Sequence, residues 1–150
     1  MSWNEYITSS LLSSGVIVQG AILGKADMQL YAEEGGFQLV SGYEAAVTND
    51  DGSQKNETID EVAAMQGFFE SGSNPKFGFR MNQVKYQLMR KQDGPTLYLK
   101  CSSGGACVAA TNTLVIVGIY KASGNDAMAA QVACNSAVEN LADYLRQSSF

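Results

Sequence analysis

The sequence predicts an α+β domain, with a central antiparallel β-sheet of about six to seven strands flanked by helices. Three observations carry this expectation. Between Val84 and Tyr120 short apolar runs follow one another with brief polar or glycine-containing breaks, and such short connections force neighbouring strands to pair antiparallel. Helical periodicity is confined to a segment at each end of the chain and one in the middle. The length of 150 residues suffices for one sizeable core and not for two, so residues 1–150 are read as a single domain.

The elements follow in order. Ser2-Trp3-Asn4-Glu5 has the Ser-x-x-Glu spacing of a capping box and opens a helix from Trp3 to about Leu12, ending before Gly15. Val16 to Leu23 and Met28 to Ala32 read as a strand hairpin turned at Lys25-Ala26-Asp27 and closed by Gly35-Gly36. Thr48 to Asn56, polar and acidic with Asp51-Gly52, reads as a loop. Thr58-Ile59-Asp60-Glu61 repeats the capping-box spacing and opens a helix toward Phe69 with Val62, Met65 and Phe69 on its stripe.

After the break at Ser71 to Pro75, the alternation Phe77, Phe79, Met81 predicts a half-buried strand. Val84 to Arg90, Thr96 to Ser102, Ala106 to Thr111 and Leu114 to Tyr120 complete a meander turned at Asp93-Gly94, Gly104-Gly105 and Asn112-Thr113. A long helix then covers about Asp126 to Gln147, capped by Asn125 or Ser123, with Cys134, Val138, Leu141 and Leu145 along one stripe.

Composition narrows the chemistry. With 45% apolar and 17% charged residues and two prolines, the chain is globular rather than disordered or proline-rich. It contains no histidine, so serine and cysteine nucleophiles lack their usual base and zinc lacks its commonest nitrogen ligand. No catalytic residue, metal or cofactor is expected. No apolar run approaches the roughly 20 residues of a membrane helix, and Met1 to Leu12 does not read as an export signal. The odd set Cys101, Cys107 and Cys134 fits reduced thiols in a cytoplasmic setting. Cys101 and Cys107 could form a redox pair, but they lack the Cys-x-x-Cys spacing and also suit buried small apolar positions.

Charge is unevenly laid out. Asp27 to Glu70 holds ten acids and only Lys55 as a base, net −9, whereas Lys76 to Lys100 holds six bases and only Asp93 as an acid, net +5. The second stretch suits an acidic partner surface or anionic head groups, or else outward positions of half-buried strands. Nucleic acid is not expected, because the chain is acidic overall at −5 and lacks an aromatic and glycine-rich ribonucleoprotein signature.

The opening Met1-Ser2-Trp3-Asn4-Glu5-Tyr6, the Tyr31-Ala32 to Gly35-Gly36 hairpin exit, the Lys85-Tyr86 to Arg90 strand and the closing Leu141-Ala142-Asp143-Tyr144-Leu145 to Phe150 resemble the profilin family. The matches lie in order and reach from one end of the chain to the other. The resemblance implies a fold in which the N- and C-terminal helices pack together on one face of the sheet. It also implies a non-enzymatic cytoplasmic, cytoskeleton-associated protein that binds monomeric actin, proline-rich partners such as formins, and phosphoinositide head groups.

Carried over by position, the resemblance implies a poly-proline site of Trp3, Tyr6, Tyr31, Tyr144 and Phe150. Tyr31 stands where many members have tryptophan, and Phe150 where many end in tyrosine. It likewise implies actin contacts at Lys76, Lys85, Arg90, Lys100 and Asn135, although the last helix lacks the bases that many members place there. Independently of the family, a polyproline helix offers carbonyl acceptors and flat rings but no N–H, so its receptor needs aromatic grooves with a few donors. Trp3 and Tyr6 at helical spacing also suit a core role, whereas an aromatic at position 150 is harder to place in a core because chain ends fray. A small sensor or trafficking adaptor of similar layout would bury these terminal aromatics, and a thiol enzyme would depress the pKa of a cysteine.

Overall fold

A computed structural model describes residues 2–92, 95–122 and 124–150; Met1 of the opening motif, the Asp93-Gly94 turn and the Ser123 cap lie outside them. The first helix, α1, spans Trp3–Tyr6 and continues through a widened turn at Ile7–Leu11 and a tight one at Leu12–Ser14. Its capping box forms as read. Ser2 Oγ accepts from the Glu5 N–H at 3.2 Å, and Glu5 Oε2 accepts from the Ser2 N–H at 3.2 Å. The run stops at Gly15, whose φ of +80° is the left-handed conformation glycine adopts without strain.

Among the described residues nine strands follow: β1 Ile17–Gly24, β2 Leu30–Glu34, β3 Ser41–Thr48, β4 Gln54–Asp60, β5 Phe79–Met81, β6 Val84–Gln92, β7 Thr96–Cys101, β8 Gly104–Ala110 and β9 Leu114–Lys121. Seven form one antiparallel sheet in the order β2-β1-β9-β8-β7-β6-β5. The helix α2, Glu61–Ser71, lies on one face, and α1 with the long helix α3, Ala127–Gln147, lies on the other. The expected antiparallel sheet with its terminal helices side by side is therefore the fold that forms.

Each face of the sheet carries its own core. Ile7 and Leu11 and the α3 stripe Cys134, Val138, Leu141 and Leu145 bury against Ile22, Ile116 and Tyr120. On the opposite face Met65 and Phe68 of α2 pack with Phe37, Phe79, Leu97 and Val108. Phe68 is the buried aromatic of α2, while Phe69 is half-buried beside it.

Four expectations are corrected. The segment read as a loop from Thr48 to Asn56 is the tip of a separate two-stranded hairpin, β3 with β4, and only Asn49 to Ser53 turns. The period-two signal of Tyr43, Ala45 and Val47 was present, but the acidic composition masked it. Strand β5 is three residues long with Arg80 buried alongside Phe79 and Met81, because Asn82 and Gln83 turn the chain at once through positive φ. The long helix is preceded by Asp126, which makes no capping hydrogen bond, so Asn125 is not its cap.

The second capping box does not form either. Thr58 belongs to β4, and Asp60 is the cap, accepting from the Ala63 N–H at 3.0 Å. Glu61 is free to turn inward, where it is fully buried. Its carboxylate accepts from the Val40 N–H at 2.8 Å, the Tyr43 hydroxyl at 2.6 Å and the Gln83 N–H at 2.8 Å. One side chain thus ties the β3–β4 hairpin and α2 to the β5–β6 turn. Burial, then the bond to Glu61, push the Tyr43 phenol up to about 12, with Arg80 opposing part of that rise.

Cys107 and Cys134 are buried, and burial pushes the Cys134 thiol up to about 12 and the Cys107 thiol higher still. This is opposite to the depressed pKa of a redox nucleophile. Only Cys101 is partly exposed. In the native protein, iodoacetamide at pH 8 should alkylate Cys101 alone, and all three thiols only after unfolding, as read by intact mass. Glu61→Ala should lower unfolding stability by roughly 3 kcal/mol in urea titration, since the Val40 N–H, the Tyr43 hydroxyl and the Gln83 N–H lose their buried acceptor.

Candidate functional site

The two ends of the chain build one surface. The Asn4 amide donates to the Glu33 carbonyl at 3.1 Å and to Glu34 Oε1 at 3.3 Å, which fixes the first turn of α1 against β2. The last residue is held from both sides: the Phe150 N–H donates to the Leu145 carbonyl at 2.9 Å, and its carbonyl accepts from the Asn112 N–H at 3.0 Å. Fraying is thereby suppressed at both ends. The rings then meet in sequence. Phe150 stands edge-on to Trp3 at 5.1 Å, Trp3 is tilted on Tyr6 at 5.7 Å, and Tyr6 faces Tyr144 at 5.9 Å.

This strip is open to solvent. Tyr144 and Phe150 are 52% and 37% exposed, while Trp3 and Tyr6 are half-buried and pack on the core beneath. The terminal aromatics are therefore not buried as a sensor or adaptor layout would have them. The bond to the Tyr144 hydroxyl, followed by partial desolvation, raises the pKa of Tyr6, which keeps its hydroxyl a donor at neutral pH.

Tyr31 stands apart from this chain of rings. It is 47% exposed on β2, and its hydroxyl lies over Gly24 at the mouth of a cleft that also includes Asn112. Because Asn112 holds the Phe150 carbonyl, the cleft begins where the strip ends.

The basic residues lie elsewhere. The helix α3 covers β8 and β9, leaving β6 and the Lys100 end of β7 open on that face. Gln87 pairs with Lys100 and Arg90 with Tyr98 across β6 and β7, which places these side chains on a common face. Lys85 and Lys100 line one shallow cleft of about 610 Å³, with Met89 and Cys101. The Arg90 guanidinium lies over the Tyr98 ring at 4.2 Å, and the Tyr98 hydroxyl bonds to Glu139 of α3. Asn135 is half-buried on α3, one turn beyond Gln131, which lines a depression shared with Lys100. Lys76 sits in the loop before β5, over Phe77 at 5.2 Å, and does not line the cleft that joins Lys85 to Lys100.

The sequence reading overlooked three apolar residues on this side. Met89 is 53% exposed, and Met128 and Val132 on α3 are exposed to a greater degree. Spaced four apart, Met128 and Val132 share a helix face outside the buried stripe, a signal visible in the sequence.

The family model for profilin matches residues 1–150. A profilin of Tetrahymena pyriformis is 32% identical over 155 aligned residues, covering 99% of this chain and 98% of its own. Profilin-3 of Dictyostelium discoideum is 30% identical over the whole of both chains. Profilin IB of Acanthamoeba castellanii superposes with a TM-score of 0.72 at 25% identity, covering 99% of this chain and 100% of its own. Mouse profilin IIa, solved in complex with a double repeat from the FH1 domain of mDia1, has the same fold at a TM-score of 0.58 and 16% identity, over 96% of this chain and 99% of its own. An aromatic seam between the two terminal elements, a match along the whole length and relatives alike from end to end place this chain in the profilin family.

Proposed function

We propose that the protein is a cytoplasmic, single-domain regulator of actin polymerisation that binds monomeric actin on one surface and proline-rich segments of assembly factors such as formins on another. Members of this family are binding proteins and not enzymes. The observation that carries the proline half is the unbroken ring sequence Phe150, Trp3, Tyr6, Tyr144. It supplies stacking surface for pyrrolidine faces, and the Trp3 indole with the two phenols supplies N–H and O–H donors for ligand carbonyls. Tyr31 extends the same site at its edge. Phe150 offers stacking area without the hydroxyl of a tyrosine.

The actin half rests on β6, β7 and the first half of α3. Lys85, Arg90 and Lys100 supply positive charge, Lys76 adds to it from the neighbouring loop, and Asn135 lies on the helix that borders the patch. Exposed Met89, Met128 and Val132 provide the apolar area that charge alone does not. Gln131 and Tyr144 are thirteen residues apart on α3, about 20 Å along its axis, so both partners fit at once. The protein would then tether actin monomers to proline-rich chains and raise their local concentration. The Lys85 and Lys100 cleft also suits the phosphates of phosphoinositides, in competition with actin.

Trp3→Ala should weaken binding of a proline decamer at least about tenfold by calorimetry, with the thermal unfolding profile showing that the variant is folded. A double charge reversal, Lys85→Glu with Lys100→Glu, should weaken sedimentation with actin monomers and make the residual binding less salt-dependent, while decamer binding is retained. Unchanged actin binding would remove this face from the account. Parent protein should bind phosphoinositide vesicles more tightly than phosphatidylcholine vesicles, and the double variant should lose that difference.

A further inference from the structure

The cleft beside Tyr31 is not explained by a proline run. It has a volume of about 540 Å³ and is walled by Tyr31, by Phe69 and Glu70 at the end of α2, by the β1–β2 turn with Lys25 and Asp27, and by Asn112. Gly24 forms its floor. A Cβ there would lie 2.7 Å from the Tyr31 hydroxyl and 2.9 Å from Asp27 Oδ1, so these two oxygens converge above bare backbone.

The charge of the cleft is specific. Asp27 Oδ1 accepts from the Gln29 N–H at 3.0 Å and Glu70 Oε1 from the Gln66 amide at 3.3 Å, leaving the second oxygen of each carboxylate without a partner among the described residues. The base in the lining, Lys25, donates from its Nζ to the Thr111 carbonyl at 3.3 Å and forms no ion pair with Asp27 or Glu70, so the two acids outnumber it. Proline offers neither a cation nor an N–H to these carboxylates. A lysine or arginine offers both, and its methylene stem can lie on aromatic walls while its charge reaches the acids.

We propose that this cleft is a specificity subsite for a lysine or arginine flanking the proline run of the ligand, its stem against Tyr31 and Phe69 and its charge met by Asp27 and Glu70. The proposal rests on the proline-binding reading of the aromatic strip, with which the cleft is continuous through Asn112 and Phe150. An acidic flanking residue is rejected by the same charges.

The test uses proline decamers carrying arginine, glutamine or glutamate at either end, titrated calorimetrically at low and high salt. At low salt an arginine at one of the two ends should tighten binding about two- to fivefold over glutamine, the range of a solvent-exposed ion pair. Glutamate at that end should weaken it, and high salt should shrink the difference. In the doubly substituted Asp27→Asn, Glu70→Gln protein the ratio of arginine to glutamine affinities should fall to about one. Equal affinities for all three peptides, or an arginine preference that survives the double substitution, overturns the subsite. No binding of the glutamine-flanked decamer overturns the proline-binding reading itself.

Discussion

The close approach of the two chain ends to the sheet is the constraint on which the site depends. It occurs at two residues without side chains. At Gly118 on β9 an added Cβ would lie 2.6 Å from Val138 Cγ2, and at Gly20 on β1 it would lie 2.9 Å from Ile7 Cγ2. Val138 and Ile7 are completely buried there. Since β1 and β9 are hydrogen-bonded neighbours with Gly20 opposite Gly118, α1 and α3 sink into one shallow trough and lie side by side. Their outward aromatics, Trp3 and Tyr6 from one and Tyr144 from the other, then have no choice but to adjoin. A methyl group at either glycine would lift a helix by overpacking, and the ring sequence would open with it.

The same helix that contributes Tyr144 to the strip separates it from the basic face. Its 21 residues span about 30 Å, with the buried stripe running the whole length and the exposed residues changing character along it. Near its start are Met128, Gln131 and Val132, and near its end the Asp143–Arg146 ion pair and Tyr144. Arg146 also donates to the Ala110 carbonyl at 2.7 Å, which anchors the end of the helix to β8. A rod buried along its whole length keeps the aromatic strip and the basic face at constant separation, which suits the tethering role proposed above.

Much of this was legible in the sequence. The Ser2 capping box, the α3 stripe from Cys134 to Leu145 and the short turns of the meander each encode local structure that survives tertiary packing. What misled was polar residues whose partners are distant in sequence. Glu61 matches a capping box in its local pattern, yet three donors from Val40, Tyr43 and Gln83 outcompete one helix terminus. The β3–β4 hairpin reads as a loop because acids dominate its composition, although its alternating Tyr43, Ala45 and Val47 follow strand periodicity. Of the site, the four adjoining aromatics could be placed only by resemblance, since residues 3 and 150 come together through packing that no local pattern specifies. The convergence of Tyr31, Asp27 and Glu70 had no sequence signature at all, being assembled from a turn, a strand and the end of a helix.

In the proposed function the seam between the chain ends is the proline-binding surface and the β6–β7 face is not. Nuclear magnetic resonance titration of isotope-labelled protein with a proline decamer tests it most directly. Shifts are expected at the Trp3 indole N–H, at the amides of the first turn of α1, at Tyr31 and from Tyr144 to Phe150, with Lys85 to Arg90 and Gln131 unmoved. Shifts centred on β6 and β7, or a saturated titration that leaves the Trp3 indole unperturbed, would contradict it.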